Sequence, residues 1–217
     1  MKKRLALSTG FCLGLAVIVV FCFPVSRYGL LGVIKREPFE EGRPLSYWAN
    51  ALKDEDVNIR QEAALVLSRM SPDARSAMPQ LVEALKDSNP NIRVNAAFAL
   101  YKMGAETKSF VPAFCDSLTD EIPYVRLDAA LTLQKLGADA RAAVPALIAA
   151  LEDNGNQAPL PYVNLSVRQM AVRALGRIGP DAHAAIPALK EALKQQADES
   201  FVTEVSTALK LIETPRP

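Results

Sequence analysis

Four aspartates and four arginines recur at a regular spacing and are the first candidates for chemistry. In three of the pairs the Asp precedes the Arg by six residues, and in the fourth nine added residues separate them. An acid–base site needs one pair in an environment different from its copies, so recurrence in every copy indicates a structural ladder. Each Asp is expected to cap the following helix or to pair with the Arg of its own copy or the next. The pairs are Asp54 and Arg60, Asp87 and Arg93, Asp120 and Arg126, and Asp153 and Arg168.

His183 and Cys115 are the other residues considered for reactivity. His183 is the only histidine and lies in a polar turn, and one His without a second His or Cys nearby does not make a zinc or di-iron site. Cys115 stands at an apolar helix position beside Asp116, which disfavours a thiolate. We therefore expect a surface histidine and a buried, inert thiol, with no catalytic residue, no metal and no cofactor.

Repeated helical hairpins are the elements that position these residues. The four arginines are separated by 33, 33 and 42 residues, and four prolines keep the same three separations. Two independent markers in one register over four copies indicate a repeat array. The prolines are Pro79, Pro112, Pro145 and Pro187.

The first helix of each copy is predicted from an apolar stripe. Counted from the residue before the Arg, apolar side chains recur at positions four, five, eight and eleven, which is the pattern of a helix buried on one face. The leucines at position eight, Leu67, Leu100, Leu133 and Leu175, are expected to form the core. The predicted bounds are Val57–Met70, Asn91–Met103, Tyr124–Leu136 and Ser166–Ile178.

Glycine and proline residues at repeated positions mark where the first helices end and the second helices begin. Glycines 104, 137 and 179 follow the last apolar residue of a first helix and suit a left-handed helix end. Each repeated proline fits the first turn of a second helix, where its missing N–H loses no hydrogen bond. Second helices are therefore predicted to begin near Met78, Val111, Val144 and Ile186.

The whole array is predicted over residues 44–213. Ser46 is expected to cap the opening helix, and Trp48 to plug the open end of the stack, with ligand stacking as the alternative role. The predicted units are a half-repeat at 44–56, full repeats at 57–87, 90–120, 123–153 and 165–197, and a closing helix at 200–212.

The N-terminal segment predicts a membrane anchor. Residues 1–4 are basic, and residues 5–25 carry no charge over a length sufficient to cross a bilayer. A cleaved signal peptide is the alternative, although its apolar region is usually shorter and a small-residue cleavage site should follow. Residues 26–43 are interpreted as a juxtamembrane linker. The positive-inside bias predicts a single-pass protein of the cell membrane with a cytoplasmic N-terminus and an extracytoplasmic repeat domain.

The charge balance of the array and the added residues between two copies bear on which partners the chain can bind. Residues 44–217 hold 18 Lys and Arg against 21 Asp and Glu, so a general nucleic-acid footprint is not expected. Residues 154–164 contain the nine added residues, and insertions in repeats often emerge on the binding face. Leu160, Tyr162 and Val163 are the candidate partner-binding loop, while a tolerated surface excursion is the alternative.

The repeated pattern resembles HEAT-like repeats, especially the phycobilisome-lyase subgroup. One copy reads Asp87, Ile92-Arg93, Ala96-Ala97, Leu100, Gly104, Val111-Pro112 and Phe114. The resemblance implies an all-α, right-handed α-solenoid whose second helices line a concave, partner-binding side. That family includes scaffolds, bilin lyases and metal-dependent hydroxylases, and the repeated His-Glu metal ligands of the hydroxylases are absent here.

These observations together predict a membrane-anchored scaffold that binds another protein or peptide through its concave face, without catalysis of its own. A bilin-lyase-like enzyme is the alternative from a different class. A nucleic-acid-binding array is the third, and the acidic balance of residues 44–217 disfavours it.

Overall fold

The computed structural model describes residues 37–153, 166–195 and 199–214. Within these ranges the chain forms one short β-hairpin followed by ten α-helices. The hairpin is β1 (Phe39–Glu40) and β2 (Arg43–Pro44). The helices are α1 (Leu45–Ala51), α2 (Val57–Met70), α3 (Met78–Ala84), α4 (Pro90–Met103), α5 (Val111–Ser117), α6 (Pro123–Leu136), α7 (Val144–Ala150), α8 (Val167–Ile178), α9 (Ile186–Gln195) and α10 (Glu199–Glu213). Short 3-10 helices link the first to the second helix of each copy, at Arg75–Ala77, Gly104–Phe110, Gly137–Ala143 and Gly179–Ala185.

One continuous apolar core runs along the stack, as the stripe predicts. The position-eight leucines Leu67, Leu100, Leu133 and Leu175 are each fully buried. The small side chains beside them, such as Ala96 and Ala129, are also buried and allow neighbouring helices to approach closely. The core is therefore shared between copies, and no single hairpin encloses it.

The first helices begin and end at specific polar or glycine residues. Asp56 and Asn89 cap α2 and α4 by accepting the N–H of Asn58 and Asn91. Gly104 and Gly137 end α4 and α6 at φ of 61° and 54°, in the left-handed half of backbone space that favours glycine. The capping residues are thus neighbours of the ladder aspartates rather than the ladder aspartates themselves.

At α8 the cap is a complete capping box. Ser166 Oγ accepts the N–H of Gln169, and Gln169 Oε1 accepts the N–H of Ser166. The helix therefore begins at Val167, one residue after the predicted start, because Ser166 is the cap.

Two layers of helices differ in how closely their members pack. Along the array α2, α4, α6, α8 and α10 each pack directly on the next, whereas α3, α5, α7 and α9 pack mainly on first helices and on the 3-10 turns. The resemblance implied that second helices line the concave side of the stack, and this assignment stays a prediction.

The N-terminal end of the stack is closed by the β-hairpin, which the sequence assigned to the linker. Trp48 is 1% exposed, and its Nε1–H donates to the carbonyl oxygen of Glu40 at 3.1 Å. Ser46 does not cap α1, because Pro44 occupies the cap position and the backbone N–H of Ser46 donates to Glu37 Oε2 at 3.0 Å. A carboxylate from outside the helix thus replaces the predicted serine cap.

The opposite end is closed by α10, which packs on α8. A Cβ added at Gly176 would stand 3.0 Å from the Cα of Ala208, so the absence of a side chain allows this close approach. Phe201, Val205 and Ile212 on α10 are buried against the array, as the predicted closing stripe requires.

Among the described residues, no helix combines the length and the apolar character needed to cross a bilayer. The predicted anchor at residues 5–25 lies outside the described residues, as do the rest of the N-terminal segment before residue 37 and the insertion at 154–165.

Candidate functional site

Each of three ladder arginines pairs with the aspartate 27 residues after it. Arg93 Nε donates to Asp120 Oδ2 at 2.8 Å, and Arg93 Nη2 donates to Asp120 Oδ1 at 3.2 Å. The same two-pronged contact joins Arg60 to Asp87, at 2.8 and 3.3 Å, and Arg126 to Asp153, at 2.7 and 3.5 Å. The carboxylate that each arginine binds therefore ends the same predicted unit, and is not the one six residues before the arginine.

The six-residue spacing between Asp and Arg has a separate cause. Arg93 Nη1 donates to the backbone carbonyl oxygen of Asp87 at 2.9 Å, and Arg60 and Arg126 make the same contact with Asp54 and Asp120. Each of these arginines therefore touches the carboxylate that ends its own predicted unit and the backbone near the end of the preceding one. The guanidinium fork fixes the register of neighbouring hairpins.

Charge pairing favours the ionised form of Asp87 in the ladder. Burial alone raises the pKa of Asp87, but hydrogen bonds from the Arg60 side chain and the Asn89 N–H outweigh it, so the pKa lies below its ordinary value. The hydrogen bond with Asp120 raises the pKa of Arg93. A carboxylate whose pKa lies below its ordinary value and whose oxygens already accept hydrogen bonds is a weak general base near neutral pH. The ladder is a structural device.

At the C-terminal end of the ladder, Arg168 makes a different contact. The carboxylate of Asp153, which precedes Arg168 in the repeated pattern, receives Arg126. The guanidinium carbon of Arg168 lies 4.7 Å from the ring centroid of Phe201, a cation–π contact on the closing helix. At the other end, the carboxylate of Asp54 accepts the N–H of Asp56 at 2.9 Å.

The remaining sequence candidates do not assemble into a reactive centre. His183 is exposed in its 3-10 turn, and Cys115 is half-buried rather than fully buried. Burial, and then the charge of Asp116, raise the pKa of the Cys115 thiol. In the described ranges no group of three or more His, Cys, Asp or Glu side chains is placed to hold a metal ion. Leu160, Tyr162 and Val163 lie outside the described residues.

An exposed surface on the first helices was not singled out from the sequence. It comprises an apolar row and a basic row, which we call the first-helix face. Leu65 and Phe98 in the apolar row are 44% and 42% exposed, and Leu131 beside them is half-buried. The basic row consists of Arg69, Lys102, Lys135 and Arg177, all exposed. The members of the apolar row lie six residues, and those of the basic row ten residues, after the residue that precedes a ladder Arg. The stronger pattern of buried positions on the same helices hid this signal in the sequence.

The basic row contacts its neighbours mainly through rings and backbone. Lys135 Nζ lies 3.6 Å from the ring centroid of Tyr101 and donates to the Tyr101 carbonyl oxygen at 3.0 Å. Lys102 Nζ lies 5.4 Å from the Phe98 ring centroid. Arg69 instead pairs with Glu41 of the N-terminal hairpin.

Asp128 introduces a titratable group on α6 that the sequence analysis did not consider. Burial raises its pKa to about 7, and the charge of Lys135 lowers it only in part. Asp128 lies in α6, the helix that carries Lys135 of the basic row.

A cleft of about 300 Å³ lies between α8 and α10 at the end of this face. Arg173 Nη2 contacts Glu204 Oε1 at 2.5 Å in the cleft, and Glu204 is largely buried. Leu211, 48% exposed, forms part of its apolar wall. The cleft extends the first-helix face rather than forming a separate chamber.

Repeated hairpins stacked on one shared core, registered by a charged ladder and open along one helical face, define an α-solenoid repeat protein. A family model described as HEAT repeats matches residues 45–111 and 78–158, which together span more than half of the chain. The chain therefore belongs to the HEAT-repeat family. A second model, described as PBS lyase HEAT-like repeat, matches residues 167–195.

Solved structures with the same fold include both natural and engineered proteins. The complex of CpcE and CpcF of phycocyanin lyase from Nostoc sp. PCC7120 matches with a TM-score of 0.60 and 26% identity, over 81% of this chain and 68% of that one. A designed armadillo repeat protein in complex with the peptide (KR)4 matches with a TM-score of 0.61 and 16% identity, over 78% and 82%. An engineered protein matches with a TM-score of 0.58 and 21% identity, over 92% and 87%. No curated protein sequence matches the chain.

Proposed function

We propose that this protein is a HEAT-repeat scaffold that binds another protein or a peptide along its first helices and performs no catalysis of its own. The observation that carries the proposal is the first-helix face. Large apolar side chains such as Leu65 and Phe98 remain exposed in a row although the core beneath them is complete. Contiguous exposed apolar surface rimmed by polar residues is typical of interaction sites.

The similar structures support an interaction role. One is a complex of two lyase subunits and another is a repeat protein in complex with a peptide. Both descriptions name a complex, of CpcE with CpcF in one and of a repeat protein with the peptide (KR)4 in the other. The armadillo design shares the fold alone with this protein, so the argument for a partner depends on the surface of this chain.

We further propose that the array is tethered to a membrane by residues 5–25, with a cytoplasmic N-terminus and the repeats on the other side. The support is the uncharged length of that segment and the basic residues before it. A right-handed superhelix completes this proposed architecture. Retention of the full-length chain in the membrane pellet after alkaline carbonate extraction is expected, and release into the supernatant would contradict the tether.

Site-directed photo-crosslinking in native cells tests the scaffold function. A photoreactive residue replaces Phe98 on the first-helix face, and a matched one replaces the exposed Glu83 on the second helix α3. We expect discrete protein adducts from position 98 that position 83 does not give, identified by mass spectrometry. Equal adduct patterns at both positions would contradict a partner-binding face on the first helices.

A bilin-lyase-like activity is the second candidate, favoured by the similarity to the phycocyanin lyase complex. Its test is to mix the full-length chain with a bilin and an apo-phycobiliprotein. A coloured adduct that survives denaturing electrophoresis would establish this activity. Addition without protein and addition of an Arg93→Ala variant serve as controls, since spontaneous bilin attachment needs no folded array.

A further inference from the structure

We propose that the first-helix face binds an extended partner segment in which carboxylate side chains are interspersed with apolar ones. This inference depends on the proposed scaffold function and names the chemistry of its partner. Three features of the described residues carry it: an exposed apolar row, a basic row beside it, and a repeat spacing that fits an extended chain.

The packing of the fold does not require the apolar row to be exposed. Leu65 and Phe98 are among the most exposed large apolar residues of the described chain, and Leu211 closes the same face at the far end. The leucines beneath them, such as Leu100, already fill the core. Covering the row with apolar side chains of a partner removes this surface from water, which favours association.

The basic row offers charge without carboxylate partners over most of its length. No ion pair joins Lys102, Lys135 or Arg177 to a carboxylate in the part of the chain that the structure describes. The half-buried Asp128 interacts electrostatically with Lys135, and Arg173 beside the row is occupied by Glu204. Partner carboxylates are the complement of the positions that remain.

Arg69, at the N-terminal end of the row, shows how such a carboxylate binds. Its guanidinium pairs with Glu41 in the turn of the β-hairpin and lies 3.9 Å from Glu40. An acidic segment of this chain thus already lies on the first position of the row. The other three positions repeat the same chemistry on successive helices.

Helix-end electrostatics accounts for part of this pattern only. A cation in the last turn stabilises its own helix, which explains a basic residue near each C-terminus. It does not explain the apolar row one turn earlier on the same face. The two rows together indicate a ligand with two kinds of side chain.

The spacing of the rows fits an extended ligand. Packed helices lie about 8–10 Å apart. A chain in the polyproline II conformation advances about 3.1 Å per residue, so every third side chain points the same way after about 9 Å. A partner with one carboxylate and one apolar residue in each triplet therefore matches one helix per triplet.

Fluorescence anisotropy with synthetic peptides tests this pairing. The full-length chain in a non-ionic detergent is titrated with a labelled peptide of about four Glu-Leu-Pro triplets. A Lys-Leu-Pro peptide of equal length and a peptide of the same composition with all its Glu at one end are the ligand controls. We expect the regular acidic peptide to bind on the order of tenfold more tightly than either control. Equal binding of all three would overturn the proposal.

Matched charge-reversal variants distinguish binding at the first-helix face from general electrostatic attraction to the protein. Lys102→Glu with Arg177→Glu removes two positions of the basic row, whereas Lys108→Glu with Arg141→Glu makes the same charge change at exposed sites in the 3-10 turns. Only the first variant is expected to weaken the acidic peptide, by about tenfold or more. Equal weakening by both variants, or none by either, would overturn the proposal. Position-98 crosslinks to a native partner that lacks acidic segments would retain the scaffold function and reject this partner chemistry.

Discussion

At the residue scale, a single guanidinium joins two successive units through different atoms. Arg93 uses Nε for the carboxylate of Asp120 in its own unit and Nη1 for the backbone of Asp87 in the preceding one. Contacts of this kind depend on how the hairpins stack, and the motif of a single copy does not encode that stacking.

Removing Asp120 should leave the buried Arg93 with a single carboxylate partner, Glu121, whose side chain is 77% exposed. Asp120→Ala is expected to lower the free energy of unfolding by about 2–4 kcal/mol, because the Arg93 side chain is only 9% exposed. Urea denaturation followed by circular dichroism measures the change. The control is Lys53→Ala, which breaks an ion pair whose side chains are 57% and 62% exposed and is expected to cost under about 1 kcal/mol. Similar costs for both substitutions would contradict the ladder's structural role.

Asp128 gives the stability of the array a pH dependence of known sign. Its pKa in the folded chain, about 7, exceeds the ordinary 3.8, so the folded state binds the proton more tightly. Stability from this group is present below about pH 4 and falls as the pH rises to about 7, where the buried carboxylate becomes charged.

Asp128→Asn should remove that penalty. We expect the variant to exceed the parent chain in unfolding free energy by about 1–3 kcal/mol at pH 8, with the difference shrinking towards pH 4. Denaturant titrations at the two pH values measure it, and Asp139→Asn at an exposed turn position is the control. A constant difference at all pH values would show that the carboxyl group does not titrate in this window.

At the element scale, the positions of glycine and proline in the sequence predicted the helix boundaries closely. The predicted second helices begin at the observed residues, because a proline fits the first turn and little else in a helix. First helices differ from the prediction by at most one residue at their starts, where Pro90 and Pro123 form the first turn. The β-hairpin was missed since strands of two residues give no alternation to detect.

The apolar stripe also predicted which helix face is buried. Leu100→Ala and Leu133→Ala should each cost about 2–5 kcal/mol, since both side chains are fully buried and truncation leaves a cavity between stacked helices. Leu65→Ala, at a residue 44% exposed, provides the control and should change stability by under about 1 kcal/mol. Chemical melts of the three variants decide the point. A cost under 1 kcal/mol for both core substitutions would contradict the shared core.

At the scale of the whole molecule, the sequence predicted a stack of helical hairpins, and the structure contains one. Successive first helices pack directly on one another, with small buried side chains between them. The exposed rows on that layer were overlooked because a periodicity search finds buried positions. Interaction surfaces become visible only when exposure is known.

The insertion between copies allows the stacking of the helices and the binding of a partner to be tested separately. Helices α6 and α8 pack directly on each other, so the array continues across the point where nine residues are added. Residues 155–163 are therefore not needed to align the copies. Deleting them should leave the thermal midpoint within about 2 °C of the parent chain.

The same deletion tests whether Leu160, Tyr162 and Val163 bind the partner. If these residues contribute to recognition, the deleted chain keeps its melt but no longer captures the protein that crosslinks at position 98. A chain of equal length with the segment replaced by Gly and Ser distinguishes lost side chains from a shortened connection. Full capture by both variants would make the insertion a tolerated excursion and leave recognition to the first-helix face.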